Sequence, residues 1–121
     1  MENAITRLYL VRHCQSMGNL QNIFQGQHEY DVSPVGEQQL ALLSLRFRNI
    51  HLDAIYSSPL QRAAKTAEAI NVYHNLPITP LDDLMEIDVG ELEAKPLGDL
   101  PALYPVLSRH WNETPQDCVF P

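Results

Sequence analysis

Residues 5–12 read ITRLYLVR and run directly into His13 and Cys14. The apolar side chains are continuous over residues 8–11, which is typical of a strand covered on both faces in a parallel sheet. We therefore predict a first strand over residues 5–12. In open α/β sheets ligands bind beyond the carboxyl ends of the strands, so Arg12 and His13 stand where a functional site is expected.

A helix is predicted in residues 32–47, which read VSPVGEQQLALLSLRF. Ser33 can serve as the N-cap, and Pro34 suits the first helical position because its φ is already helical. Apolar residues then recur at helical spacing on one face. These residues are Leu40, Leu43 and Phe47.

The same order of signals returns further along the chain. Residues 53–57 (DAIYS) predict a short strand, Ser58 and Pro59 predict a helix start, and residues 78–81 predict a third strand. Alternating strands and helices favour an α/β fold, with a mostly parallel sheet covered by helices on both faces. From Pro96 onward the chain holds five of its nine prolines, so short helical turns and loops are expected there.

Composition limits the classes of protein. The 121 residues, 45% of them hydrophobic, suit a single domain spanning residues 1–121. No apolar run approaches the roughly 18 residues of a membrane span, and Glu2 and Arg7 interrupt any signal-peptide core, so we expect a cytoplasmic protein without a membrane partner. Two cysteines, Cys14 and Cys118, indicate neither a disulfide framework nor a zinc module.

Charge is distributed unevenly. The net charge is −7, and residues 82–99 hold seven acidic residues against Lys95, a local charge of −6. This excess of negative charge argues against a nucleic-acid partner. An anionic substrate would also be repelled at long range, so a phosphate site has to be a local concentration of donors.

Four residues suggest such a site. Arg12 and His13 follow the predicted first strand, and Arg62 falls in the first turn of the helix after the second strand. Guanidinium groups match phosphate oxygens, and a neutral imidazole is a competent nucleophile. Glu86 follows the third predicted strand, where a partly buried carboxyl could keep its proton and act as a general acid.

Other chemistries have weaker support. A thiolate nucleophile at Cys14 would need an arginine six residues later in a phosphate-cradling loop, and position 20 is leucine. The spacing of His13, Cys14, His110 and Cys118 is not that of a metal site. Walker and GxGxxG phosphate loops are both absent from the sequence.

Four motifs together resemble those of the histidine phosphatase superfamily, the phosphoglycerate mutase-like enzymes, in order and with fitting gaps. They are LYLVRHCQSMGN (8–19), FQGQ (24–27), LDAIYSSPLQRAAKTAEAI (52–70) and LMEIDVGELEAKP (84–96). The resemblance implies a phosphoglycerate mutase-like fold. It also implies a small phosphorylated substrate and no metal or organic cofactor.

The resemblance further implies the roles of individual residues. His13 would become phosphorylated, Arg12 and Arg62 would bind the transferred phosphoryl group, and Glu86 would donate a proton to the leaving group. The residues that would line the substrate side are Asn19, Gln25 and Gly26.

Residues 86–96 resemble the phosphatase branch, because mutases carry a basic, aromatic stretch and a longer insertion after this glutamate. Hydrolysis of a small phosphomonoester through a phosphohistidine intermediate is therefore the preferred function. A phosphoglycerate mutase-type phosphotransferase is the alternative within the family.

Two departures from the family pattern matter. Cys14 stands where the family has glycine, which places a side chain where the backbone lies close to the site. The resemblance also implies a second histidine on a later strand, and His110 in SRHW lacks the expected apolar strand and following glycine. We therefore expect a domain that is truncated at Pro121.

A third hypothesis for the function is an inactive phosphate-binding or structural module that forms a homo-oligomer through unpaired strand edges.

Overall fold

The structure is a computed structural model that describes residues 4–121. Within that range it contains two strands and five α-helices, joined by loops and short 3-10 turns. The strands are β1 (Ile55–Ser57) and β2 (Ile78–Pro80), and the helices are α1 (Met17–Leu20), α2 (Pro34–Phe47), α3 (Gln61–Asn71), α4 (Leu100–Leu103) and α5 (Pro105–Glu113).

Helix α2 begins and ends as its sequence predicts. The hydroxyl of Ser33 accepts a hydrogen bond from the Gly36 N–H at 3.0 Å, and Pro34 occupies the first helical position. Phe47 at the far end is 4% exposed and packs into a core with Ile55 of β1 and Ile70 of α3. The predicted apolar stripe is therefore the face that holds α2 against the sheet and α3.

Strands β1 and β2 form a parallel pair with Ile55 opposite Ile78 and Ser57 opposite Pro80. Helix α3 connects the two strands and contacts both of them. The prediction of an α/β fold with parallel strands is thus confirmed. Only one face of β1 is buried. Ile55 and Ser57 point into the protein, whereas Tyr56 between them is 59% exposed.

The start predicted for α3 is wrong by two residues. The first helical residue is Gln61, with Leu60 as its N-cap, rather than Pro59 with Ser58 as its N-cap. The Ser58 hydroxyl instead accepts from the Leu60 N–H at 3.2 Å. This bond to the residue two positions later closes a turn that leaves β1, and it competes with helical capping.

The predicted first strand is not formed. Residues 5–12, which we call the N-terminal segment, lie outside any strand, and Leu8 and Leu10 are 75% and 86% exposed. A strand needs hydrogen bonds along an edge, and no residue between 4 and 121 provides a ladder for this segment. Tyr9 nevertheless meets Phe47 edge-on, with ring centroids 5.7 Å apart.

The region after Pro96 folds as short helices and turns, as expected. Helices α4 and α5 each begin with a proline in the first turn, and a 3-10 turn follows at Pro115–Asp117. They enclose a second core built on Phe24, Leu92 and Leu107. None of the helices described between residues 4 and 121 is long and apolar enough to cross a membrane.

Candidate active site

A cleft of about 1070 Å³ separates the N-terminal segment from β1 and α3. Four residues singled out by the sequence line this one cleft, although they come from three different parts of the chain. They are Arg12, His13, Arg62 and Glu86. The fold therefore brings two guanidinium groups, an imidazole and a carboxyl group to the same space.

The His13 ring is oriented by its own backbone neighbour. Nδ1 lies 2.6 Å from the carbonyl oxygen of Cys14. A carbonyl only accepts hydrogen bonds, so we assign the proton of the neutral ring to Nδ1, which leaves the Nε2 lone pair free. The orientation is that of a nucleophile that uses Nε2.

The electrostatic surroundings of His13 keep this ring neutral. Burial lowers the pKa of His13 below 6.5, and the positive charges of Arg62 and Arg12 act in the same direction. The Cys14 carbonyl and the Glu86 carboxylate oppose this shift without reversing it. At neutral pH the imidazole is therefore unprotonated at Nε2, as nucleophilic attack requires.

Arg62 is only 2% exposed and is fixed by two backbone carbonyls. Nη1 donates to the His28 oxygen at 2.8 Å and Nη2 donates to the Gly26 oxygen at 2.6 Å. A guanidinium has five N–H donors, so donors remain for an anion in the cleft. Burial lowers the pKa of Arg62, an effect that the carboxylates of Glu86, Glu29 and Glu93 oppose.

Gly26 supports Arg62 through backbone geometry. Its φ of +50° lies in the left-handed region, and a Cβ atom there would stand 2.6 Å from Oε1 of Glu93. No other residue type fits this position without strain. Gly26 thus contacts the buried arginine directly, but it is not among the described residues that line the cleft, and its predicted contact with substrate stays a prediction.

Arg12 and Glu86 are both exposed at the cleft. The partial burial expected for Glu86 is wrong, because β2 ends at Pro80 and a 3-10 turn carries the chain outward before Glu86. Its Oε1 accepts from the Ile87 N–H at 2.8 Å, and its carbonyl accepts from Nε2 of Gln27 at 3.2 Å. The carboxyl group therefore stands at the solvent side of the site.

Asn19 and Gln25 are not among the described residues that line the cleft. Oδ1 of Asn19 accepts from the Ser16 N–H at 3.0 Å, and the Asn19 N–H donates to the Ser16 hydroxyl at 3.1 Å. These two bonds form a capping box at the start of α1. The Gln25 side chain also hydrogen-bonds the Ser16 hydroxyl, so both residues build the loop behind the site.

Sequence reasoning missed two polar residues that organise α3. The Glu29 carboxylate accepts from the Gln61 N–H at 3.0 Å, so a carboxylate lies at the N-terminus of α3, where a negative charge is favourable. The Thr66 hydroxyl accepts from the Cys14 N–H at 3.1 Å. A threonine one turn after Arg62 in an alanine-rich helix was the available signal for the second contact.

Cys14 is buried and does not line the cleft. Burial raises the pKa of its thiol, and the neighbouring Thr66 side chain opposes this effect only in part. A thiol that retains its proton is a poor nucleophile, which agrees with the weak support for Cys14 chemistry. The backbone at Cys14 lies outside the left-handed region, so a side chain is accommodated where the family has glycine.

A second histidine beside His13 is not found among the described residues. His51 also lines the cleft, but it precedes β1 and so lies at the opposite end of that strand from Ser58. His110 lies on α5 and lines a separate pocket. The part of the site that the family assigns to the later histidine is therefore not supplied between residues 4 and 121.

Comparison with known proteins identifies the family of this chain. Residues 8–121 match the family model of the histidine phosphatase superfamily, branch 1. The chain is 39% identical over 101 residues to the uncharacterized phosphatase PhoE of Bacillus subtilis. This matched region covers 84% of this chain and 52% of PhoE. It is 36% identical over 116 residues to phosphoserine phosphatase 1 of Hydrogenobacter thermophilus, covering 96% of this chain and 55% of that protein.

The fold matches solved structures as well. Bacillus stearothermophilus YhfR superimposes with a TM-score of 0.82 at 28% identity, over 87% of this chain and 52% of YhfR. The chain thus spans about half the length of the relatives and structures it matches. Because the family model covers almost the whole sequence and the motif residues meet in one cleft, the chain belongs to branch 1 of the histidine phosphatase superfamily.

Proposed function

We propose that this chain carries the nucleophilic half of a phosphomonoester hydrolase that works through a phosphohistidine on His13. The observation that supports this proposal is the meeting of Arg12, His13 and Arg62 in one cleft, with Nδ1 of His13 2.6 Å from the Cys14 carbonyl oxygen. Glu86 stands at the same cleft. These groups supply an anion site, a nucleophile and a proton carrier.

The first step is transfer of the phosphoryl group to His13. The Nε2 lone pair forms a bond to phosphorus while the bond from phosphorus to the ester oxygen breaks. Glu86 in its protonated form gives its proton to the departing alkoxide, which leaves as an alcohol. The hydrogen bond from Nδ1 to the Cys14 carbonyl stabilises the positive charge that develops on the ring.

The second step regenerates the enzyme. Water attacks phosphorus, the bond between phosphorus and Nε2 breaks, and the Glu86 carboxylate takes up the proton of the water. Orthophosphate leaves and His13 returns to its neutral form. Arg12 and Arg62 neutralise the equatorial oxygens in both steps, and loss of one such donor costs about 2.7 to 4 kcal/mol in comparable oxyanion sites.

The substrate class is a small phosphomonoester, with no metal or organic cofactor in the mechanism. Relatives named as phosphatases support hydrolysis, and the cleft gives space beside the phosphate-binding groups for a small alcohol portion. A cytoplasmic location is part of the proposal, and it is supported by two cysteines that form no disulfide.

The direct test is capture of the intermediate. The chain and its His13→Ala variant are incubated with p-nitrophenyl phosphate, and acid-labile, alkali-stable phosphate on the protein is measured beside p-nitrophenol release. We expect both signals in the wild type and neither in His13→Ala. His110→Ala, which alters a histidine on α5 away from the cleft, should retain both. Absence of protein-bound phosphate in the wild type would overturn the proposal.

A second candidate function is a non-catalytic phosphate-binding module that pairs with another copy of the chain. It is favoured by the N-terminal segment, which has no strand partner among residues 4–121 and in which Ile5 is 88% and Leu10 is 86% exposed. Unpaired apolar segments invite association of this kind. Sedimentation of a strictly monomeric chain would contradict it, and vanadate binding without turnover together with a dimeric mass would favour it.

A further inference from the structure

We propose that Thr66 is a positioning residue that holds the His13 imidazole in register with Arg62 through the backbone amide of Cys14. This inference rests on the proposed function of His13. Thr66 lies within the motif at residues 52–70 and lines the cleft, but the reaction proposed above gives it no role.

The Thr66 hydroxyl has a fixed orientation because both of its hydrogen-bonding roles are used. It is 4% exposed, donates to the Arg62 carbonyl at 2.7 Å and accepts from the Cys14 N–H at 3.1 Å. A hydroxyl carries one proton, so donation to Arg62 leaves only its lone pairs for Cys14. The contact with Cys14 therefore has a defined direction.

The Cys14 backbone is held on both sides by this arrangement. Its N–H is bound to Thr66 of α3, and its carbonyl accepts from Nδ1 of His13. The tautomer and orientation of the imidazole depend on that carbonyl. Thr66 thus acts on the ring of His13 through one residue, across 52 positions of sequence.

The same hydroxyl is tied to the other side of the phosphate site. Arg62 precedes Thr66 by one helical turn, and its guanidinium is anchored by the Gly26 and His28 carbonyls. The nucleophile and the buried arginine are therefore positioned from a single turn of α3. Without the hydroxyl, the Cys14 N–H would lose its bond to α3. The peptide between Cys14 and Gln15 would then be held from α2 alone, where Oε1 of Gln39 accepts from the Gln15 N–H at 2.7 Å.

The test compares Thr66→Val, which keeps the shape and removes the hydroxyl, with Thr66→Ser, which keeps the hydroxyl. Two readouts are needed: the ¹⁵N shifts of the His13 ring, which report the protonated nitrogen, and the rate of phosphorylation by p-nitrophenyl phosphate. We expect Thr66→Val to mix the two ring tautomers and to slow phosphorylation about 10- to 100-fold, with KM nearly unchanged. Thr66→Ser should restore the single tautomer and most of the rate.

Two outcomes would overturn the inference. One is a Thr66→Val protein that keeps the Nδ1–H tautomer and the wild-type rate. The other is used if Thr66→Val does not fold. In that case the inference fails if the Cys14 amide of the wild-type chain exchanges its hydrogen as fast as a free amide does. If wild-type His13 is never phosphorylated but its tautomer still depends on Thr66, the proposed function fails and the positioning role stands.

Discussion

The two walls of the cleft each present an arginine, but they hold it in opposite ways. Arg62 on α3 is 2% exposed and donates to two backbone carbonyls. Arg12 lies at the end of the N-terminal segment and is exposed. The α3 wall is backed by the core around Phe47 and Ile55, whereas the opposite wall touches that core mainly through Tyr9.

This difference separates two properties that a phosphate site needs. The α3 wall supplies a charge whose position is fixed before any ligand arrives, which reduces the cost of ordering it on binding. The N-terminal wall supplies an exposed charge, that of Arg12. Stability should therefore respond to changes at Arg62, and ligand binding should respond to changes at both arginines.

The largest expected effect is on stability at the α3 wall. Arg62→Met removes hydrogen bonds from a charged donor and leaves the Gly26 and His28 carbonyls without their partner. We expect a loss of about 3 kcal/mol or more in the free energy of unfolding, measured by urea denaturation. Arg12→Met, the matched change on the other wall, should stay within about 0.5 kcal/mol of the wild type. Equal losses of unfolding free energy in the two variants would contradict the difference between the two walls.

The next effect concerns anion affinity. Arg12→Met should weaken binding of orthovanadate, measured by titration calorimetry, by about 10- to 100-fold, because one charge-assisted hydrogen bond contributes about 1.5 to 3 kcal/mol. Arg109→Met, which removes an exposed arginine from α5, is the control and should bind vanadate as the wild type does. An unchanged Kd in Arg12→Met would remove that residue from the site.

A smaller effect should mark the single aromatic anchor of the N-terminal wall. Tyr9→Leu removes the edge-on contact with Phe47 and should cost about 0.5 to 1.5 kcal/mol of stability. Leu10→Ala changes a neighbour that is 86% exposed and should cost less than about 0.5 kcal/mol. The reverse order in thermal or urea denaturation would show that the segment packs through another residue.

The smallest effect is a pH dependence of stability that originates at His13, between the two walls. Burial lowers the pKa of His13 below 6.5, so the unfolded chain binds the proton first as the pH falls below that value. The wild type should therefore lose stability relative to His13→Gln below about pH 6.5, until the folded-state pKa is passed. Parallel urea midpoints of the two proteins from pH 8 to pH 5 would contradict this.

Elements with local signals were predictable in this chain. The Ser33 cap and Pro34 start of α2 are confirmed because capping needs only residues three positions apart. The strands near residues 55 and 78 are confirmed because short apolar runs between turn signals suit paired strands. The start of α3 was missed because the Ser58 hydroxyl closes a turn to Leu60, a competing local bond that the serine-proline pattern does not distinguish.

The sequence by itself determined which groups are available for chemistry: His13, Arg12, Arg62 and Glu86 were identified from residue type, position and family motifs, and all four line the cleft. Only the tertiary structure decided which arginine is buried, that Glu86 is exposed, and that Asn19 closes a capping box with Ser16 at the start of α1. It also decided that residues 5–12 are not a strand. The physical reason is that burial and strand pairing depend on partners distant in sequence, whereas side-chain chemistry belongs to each residue alone.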